Sequence, residues 1–310
     1  MRLLKDFKSD RYKKKALRIM LLFLISFFML DLFVGIVLKN GLEAYYGLNE
    51  NAKIALVGHS HLMLGIDKVK MEQDLGYEVA KYTSEGVNVA NRKLMIEHLL
   101  SKNNKIETII YGADAWMFSG EGLSENSHAL FYPFLSDASI NRFVKKAGSQ
   151  SEYWTRKLIK STRYSEGLIS SSLRGYFKKW DNLKFGTVDI ERLKKSIALG
   201  EYREINNNKE NIDILIESIE LLKKKGIKII LLYVPTIDIV NQVESEKFEQ
   251  TLQIFRNLEN EYTNVEFVNF LEPFSHQHDL FFDPIHLNPK GQNKVTEQLI
   301  SHLKNIGNEK

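Results

Sequence analysis

Short, continuously apolar runs alternate along this chain with longer stretches whose apolar residues recur at helical spacing. Lys53 to Val57 (KIALV) is apolar, is closed by Gly58, and reads as a buried parallel strand. The residues that follow read as a loop carrying Ser60. Glu78 to Tyr82 predicts a second strand, Ser84-Glu85-Gly86 a turn, Val87 to Leu100 a helix, and Ile106 to Tyr111 a third strand ending at Gly112. Periodicity then weakens from about 115 to 208 and returns with a helix over Lys209 to Lys225, ended by Gly226, and a strand over Lys228 to Val234, stopped by Pro235. Glu244 to Glu261 predicts a helix, Val265 to Asn269 a strand, and Pro289 to Asn305 a final amphipathic helix. Strands alternating with helices predict the α/β class with a doubly wound parallel sheet.

One apolar stretch is of a different kind. Residues 19–38 (IMLLFLISFFMLDLFVGIVL) are twenty positions with a single charge, Asp31, and as a helix they would cover the roughly 30 Å core of a bilayer. The run is long for the apolar part of a signal peptide, and no small-residue cleavage site follows it, so an uncleaved transmembrane helix is expected. Asp31 would be costly at mid-bilayer, which puts it toward an interface or against a partner. The preceding residues 1–18 hold eight Lys/Arg against Asp6 and Asp10. By the positive-inside rule this tail stays in the cytoplasm and the chain beyond residue 40 is extracytoplasmic. The expected organisation is a cytoplasmic tail (1–18), a membrane span (19–38), a juxtamembrane linker (39–52) and a globular domain (53–310) with an insertion at about 115–208.

The net charge of +4 therefore sits in the tail rather than on a nucleic-acid-binding face, and no nucleic-acid partner is expected. With no cysteine, thiol catalysis and thiolate metal sites are excluded. His276-Gln277-His278-Asp279 lacks a third metal ligand at recognisable spacing, so neither metal nor cofactor is expected. The insertion carries serine-rich pieces at 119–127 and 161–172 and the aromatics Trp116, Phe131, Tyr132, Trp154, Tyr176 and Trp180. These would form the insertion's own core, or a lid or stacking wall over a site.

In open α/β sheets ligands gather outside the carboxyl ends of the strands. Ser60, Gly86 and Asp114 follow the first three strands, and Asp283 with His286 follows the last. A serine hydroxyl needs a base to remove its proton; His286 is the best candidate, with Asp283 placed three residues earlier to orient the ring. Pro284 stiffens that turn, and Pro289 starts a helix directly after it. Leucine at position 62 breaks the Gly-x-Ser-x-Gly elbow of α/β-hydrolases.

With Gly58-His59-Ser60-His61 near one end and Asp283-Pro284-Ile285-His286 near the other, the chain resembles the SGNH/GDSL hydrolase superfamily. The continuation Leu62-Met63-Leu64-Gly65-Ile66-Asp67 resembles its membrane-anchored branches that acylate cell-envelope polymers or exopolysaccharides. The resemblance covers 53–114 and 209–305 and implies a flavodoxin-like three-layer fold. It also implies Ser60 as nucleophile, His286 and Asp283 as its partners, and the backbone amides of Ser60 and Gly86 as an oxyanion hole. Two positions depart from the family pattern. His59 stands where an Asp usually precedes the serine, and Asp114, in Gly112-Ala113-Asp114-Ala115, stands where an Asn usually donates to the oxyanion. An ionised carboxylate cannot donate a hydrogen bond, so Asn88 or another group would substitute, or activity would be slow or lost. His59, His61, Asp114 and Trp116 are candidate substrate contacts. The implied partners are the membrane, an acylated glycan or envelope polymer, and a membrane-bound O-acyltransferase. Two functions stay open: an esterase or O-acyltransferase working through an acyl-serine, and a degenerate domain that binds glycan or scaffolds a membrane complex.

Overall fold

The computed structural model describes residues 2–49, 51–119, 127–180 and 182–308, the side chains of 2–10, 127, 307 and 308 excepted. Most of the expected serine-rich piece at 119–127, and the side chains of the tail before Arg11, lie outside the described residues. In chain order the elements are α1 (Arg2–Tyr46), β1 (Ile54–Gly58), α2 (Ser60–Gly65), α3 (Lys68–Leu75), β2 (Val79–Thr83), α4 (Val89–Lys102) and β3 (Thr108–Ala113). The middle of the chain holds a 3₁₀ turn (Ser127–Phe134), α5 (Ala138–Ala147), α6 (Gln150–Leu158), a second 3₁₀ turn (Lys160–Arg163), α7 (Glu166–Tyr176) and α8 (Ile190–Ala198). Then come α9 (Lys209–Lys224), β4 (Lys228–Tyr233), α10 (Asp238–Asn241), α11 (Ser245–Glu261), β5 (Val265–Asn269), α12 (Leu271–Phe274), a third 3₁₀ turn (His278–Leu280) and α13 (Pro289–Asn308).

The chain divides into two compact units, Met1–Leu42 with His128–Leu173, and Glu43–Ser127 with Arg174–Lys310. The second contains the sheet. All four of its strand pairings are parallel and the order is β2-β1-β3-β4-β5. That is the flavodoxin-like doubly wound order, whose connections reverse direction between β1 and β3 and leave a crevice there. The strands are apolar on both faces because both are covered. Leu56, Ile110, Ile230 and Leu232 pack with Leu62 of α2, Met71 of α3 and Ile66 between them, and with Val295 and Leu299 of α13. On the other face Tyr82 meets His98 of α4, and Tyr233 meets Phe248 of α11.

One expectation is corrected by the structure. The segment after β1 is not a loop, since Ser60 opens α2 and α3 follows it. Parallel pairing of β1 with β2 demands a crossover, and local signals build it. Asp67 caps α3 by accepting the amides of Val69 and Lys70, and Gly76 ends it at φ +77°. Six residues are too few for α2 to show apolar periodicity. Helix α1 continues past the apolar run through Tyr46, whose ring lies 4.6 Å from that of Tyr82.

Candidate functional site

The position of Ser60 is set by close backbone packing at the switch point. A Cβ on Gly58 or on Gly112 would lie 3.0 Å from the Leu62 Cβ, so glycine at the ends of β1 and β3 lets α2 settle onto them without displacing Leu62. Lys81, buried on β2, holds the far end of α2 by donating to the carbonyls of Met63 (2.8 Å) and Ile66 (2.6 Å). Two bonds then tie α13 to the same region: Gln292 Nε2 donates to Leu64 O at 2.7 Å, and the Asp67 amide donates to Thr296 Oγ1 at 2.9 Å. The tip carrying residues 283–286 is pinned in turn. The amide of Phe282 donates to His286 O (2.8 Å), that of Asn288 to Leu280 O (2.9 Å), and that of Ile237 to Pro284 O (3.1 Å).

These supports bring residues 226 positions apart into contact: Ser60 Oγ lies 2.9 Å from His286 Nε2. The other ring nitrogen, Nδ1, lies 2.7 Å from Asp283 Oδ2. Asp283 has no proton to give, so Nδ1–H donates to it and the Nε2 lone pair is left to accept from the serine hydroxyl. Asp283 Oδ1 also accepts the amides of Ile285 (3.0 Å) and His286 (2.9 Å). Burial disfavours the carboxylate, but the hydrogen bond from the His286 ring together with these amides outweighs it and holds Asp283 below the usual carboxylate range.

His59 and Asp114 form a pair. His59 is the N-cap of α2, and its Nδ1 accepts the His61 amide at 3.0 Å, the service an Asp or Ser oxygen usually performs. With Nδ1 accepting, the ring's proton is on Nε2, which donates to Asp114 Oδ2 at 2.6 Å. Burial pushes the His59 imidazole below its usual range, which agrees with a neutral ring. Asp114 is 2 % exposed; its Oδ1 accepts the Trp116 amide at 2.9 Å, and Arg92 lies 3.7 Å from Oδ2. Although burial opposes its charge, His59 and Arg92 hold it well below the usual carboxylate range. Both oxygens of Asp114 are thus spent inside the protein.

No protein-family model and no curated protein matches the chain. A solved structure described as "a putative platelet activating factor from Streptococcus pneumonia" aligns with 94% of this chain and 99% of its own, at 13% identity and a TM-score of 0.41. Backbones that differ this much support no residue-by-residue correspondence.

Of the remaining candidates, His61, Trp116 and Gly86 are buried and Asn88 is half-buried. His61 is buried, its Nε2 faces Pro235 O at 3.3 Å, and burial pushes its ring down to about 3, so it is neutral. Trp116 is also buried and donates through Nε1 to Arg203 O at 2.9 Å. Gly86 lies in the turn after β2 at φ +74°, a conformation that suits glycine. Asn88 caps α4 in a reciprocal box with Asn91: its Oδ1 accepts the Asn91 amide at 2.9 Å, which leaves the carboxamide NH₂ for another acceptor. No acceptor among the described residues takes the amides of Ser60 or Gly86. No group of His, Asp or Glu among the described residues is arranged to hold a metal.

Sequence reasoning missed Arg92 and the cavity beside residues 283–285. Arg92 is buried on α4 and donates to Gly112 O at 2.7 Å. Its signal was an arginine in register with Met95, Ile96 and Leu99 on an apolar helix face. The cavity, of about 360 Å³, is walled by Leu193, Ile197, Ile205, Val240, Val243 and Ile285, with Trp116 and Asp283 also on its surface. Arg203 lines it as well, and its guanidinium feels the charge of Asp114. Its walls come from four separate segments, and no local pattern announces them.

Proposed function

We propose that this chain is a membrane-anchored, SGNH-like serine esterase or O-acyltransferase acting on an extracytoplasmic glycan or envelope polymer through an acyl-serine. The observation that carries the reading is the continuous relay from Asp283 through His286 to Ser60, with bonds of 2.7 and 2.9 Å. In this mechanism Ser60 Oγ attacks the acyl carbonyl carbon while its proton passes to His286 Nε2, and Asp283 stabilises the imidazolium. The amides of Ser60 and Gly86 receive the oxyanion, with the Asn88 NH₂ as a further donor in place of the usual Asn. As the intermediate collapses, His286 returns the proton to the leaving oxygen, and Ser60 keeps the acyl group. Water or a sugar hydroxyl, deprotonated by His286, then resolves the ester. The resemblance to polysaccharide-acylating branches favours the sugar, with a membrane-bound O-acyltransferase supplying acyl groups. The mainly apolar cavity offers the acyl group a place to lie, and Arg203 on its wall offers a cation to an acidic polymer.

One helix, within Arg11–Tyr46, is long and apolar enough to cross a membrane. The basic flank supports a cytoplasmic N-terminus and an extracytoplasmic domain. The second reading, a non-catalytic glycan-binding or scaffold subunit, is favoured by Asp114, an acceptor where the family has a donor. A fluorophosphonate probe separates the two on the full-length chain in detergent. Wild type should be labelled and Ser60→Ala should not; equal labelling of both would replace the enzyme with the scaffold.

A further inference from the structure

Asp31, the one charge in the apolar run 19–38, has its partners 129 and 130 residues further along the chain. Its two oxygens accept the backbone amides of Lys160 (2.7 Å) and Ser161 (2.8 Å), which open the 3₁₀ turn Lys160–Arg163. One helical turn on, Gly35 accepts the Tyr164 hydroxyl through its carbonyl at 2.9 Å. A Cβ on Gly35 would lie 2.7 Å from the Lys160 Cβ, so the glycine is a notch that admits this turn. Within its unit, then, the 128–173 segment is docked on the apolar helix by a capped carboxylate, a backbone bond and a steric fit, and Asp31 is left 5 % exposed.

The depth of that contact follows from helix geometry. The basic residues Lys13, Lys14, Lys15 and Arg18 mark the inner edge of any span. From Ile19 to Asp31 the helix rises only about 18 Å, well short of a hydrocarbon core of roughly 30 Å. The core must extend past Asp31 toward Leu38, about 10 Å further along. The turn at Lys160 therefore meets the helix within the outer half of the membrane, where backbone needs its polar groups satisfied and its outward face apolar. The surrounding helices meet the second demand. Trp154 (50 % exposed) and Leu158 (66 %) stand one turn apart on α6, and Ile169 and Leu173 stand one turn apart on the exposed side of α7. Residues 128–173 also carry seven Lys/Arg against three Asp/Glu. Exposed aliphatic and indole side chains beside long cationic stems are the composition of a segment lying in a lipid interface, drawn to anionic headgroups.

We propose that residues 138–173 are a membrane foot that embeds Trp154, Leu158, Ile169 and Leu173 in the outer leaflet, so that the chain holds the bilayer through an interfacial module as well as a helix. This rests on α1 crossing the membrane and is independent of the proposed chemistry. Because the chain contains no cysteine, single nitroxide labels can be placed without other changes. Full-length Leu158→Cys, Ile169→Cys and Leu173→Cys, labelled in phosphatidylcholine–phosphatidylglycerol vesicles, are compared by spin relaxation with dissolved oxygen and with a water-soluble nickel complex. Phe28→Cys on α1 supplies the hydrocarbon reference and Lys224→Cys on α9 the aqueous one. The three foot labels should shift from the Lys224 value toward the Phe28 value, with oxygen favoured over nickel. Nickel access equal to that at Lys224 would overturn the proposal. Exclusion of both reagents would also overturn it, because a protein partner would then cover this face, and an aqueous reading at Phe28 would remove its premise.

Discussion

Asparagine at position 114 distinguishes a catalytic from a structural reading of that residue. Were position 114 the missing oxyanion donor, Asp114→Asn would restore it and raise the rate by about 10²- to 10³-fold. The structure predicts the opposite. Asp114 serves two donors with two oxygens, His59 Nε2–H at 2.6 Å and the Trp116 amide at 2.9 Å. A carboxamide has a single acceptor oxygen, so one of those donors would face an NH₂ instead. His59 cannot escape by changing tautomer, because its Nδ1 is occupied by the His61 amide at 3.0 Å. The substitution thus removes one charge-assisted bond, about 1.5–3 kcal/mol, and strands a buried donor, about 1–3 kcal/mol. A loss of about 4 kcal/mol, at roughly 2–4 °C per kcal/mol for a domain of this size, lowers Tm by about 8–16 °C. Thermal melts of the full-length protein read the stability, and fluorophosphonate labelling well below the melt reads the rate. A variant that melts within about 2 °C of wild type, or that labels about tenfold faster, would refute the assignment.

Other outcomes follow from the same geometry. Asp283→Asn sets an NH₂ against His286 Nδ1 and favours the tautomer that cannot accept from Ser60; labelling should slow by about 10⁴-fold, or about 5.4 kcal/mol, and a loss of less than about tenfold would contradict the relay. Since Asp283 is held below its usual carboxylate range, its stabilising contribution is complete above about pH 4 and is lost as pH falls through the lowered folded value. Urea titrations below about pH 4 should therefore show wild type losing stability more steeply than Asp283→Asn. His61 should stay neutral until about pH 3, so its ring carbon shift should be flat across the neutral range, and a midpoint near the ordinary histidine value would disprove its burial. Gly65→Ala places a Cβ 2.6 Å from Val234 Cγ1 and should cost about 1–3 kcal/mol in urea unfolding, with part of that cost recovered in combination with Val234→Ala.

The strands and the long helices were legible because burial on both faces of a parallel sheet writes itself into the chain as apolar runs, and amphipathic helices as a regular spacing. Helix α2 was not, since six buried residues carry no contrast between faces. Its helical start depends on a histidine acting as a cap, which no propensity scale anticipates. Ser60, His286 and Asp283 were readable as candidates from short motifs beside turn residues. Arg92 and the cavity were obscure for different reasons: one is a single charge on an apolar helix face, the other is walled by side chains from four segments. Asp31 was visible as an anomaly, but the amides that satisfy it lie more than a hundred residues away.

On its own, the sequence determined what is local or periodic: the apolar span with its basic flank, the α/β alternation, the absence of thiol chemistry, and the residue types able to form a relay. Tertiary structure decided which of those residues meet. Ser60 and His286 come within 2.9 Å because glycines at two strand ends admit α2 and because α13 is bonded to it. Asp114 became a buried partner of His59 because strand register brings the ends of β1 and β3 side by side. The physical reason is that packing and long-range hydrogen bonds depend on distances between residues remote in the chain, and those distances exist only once the sheet has formed.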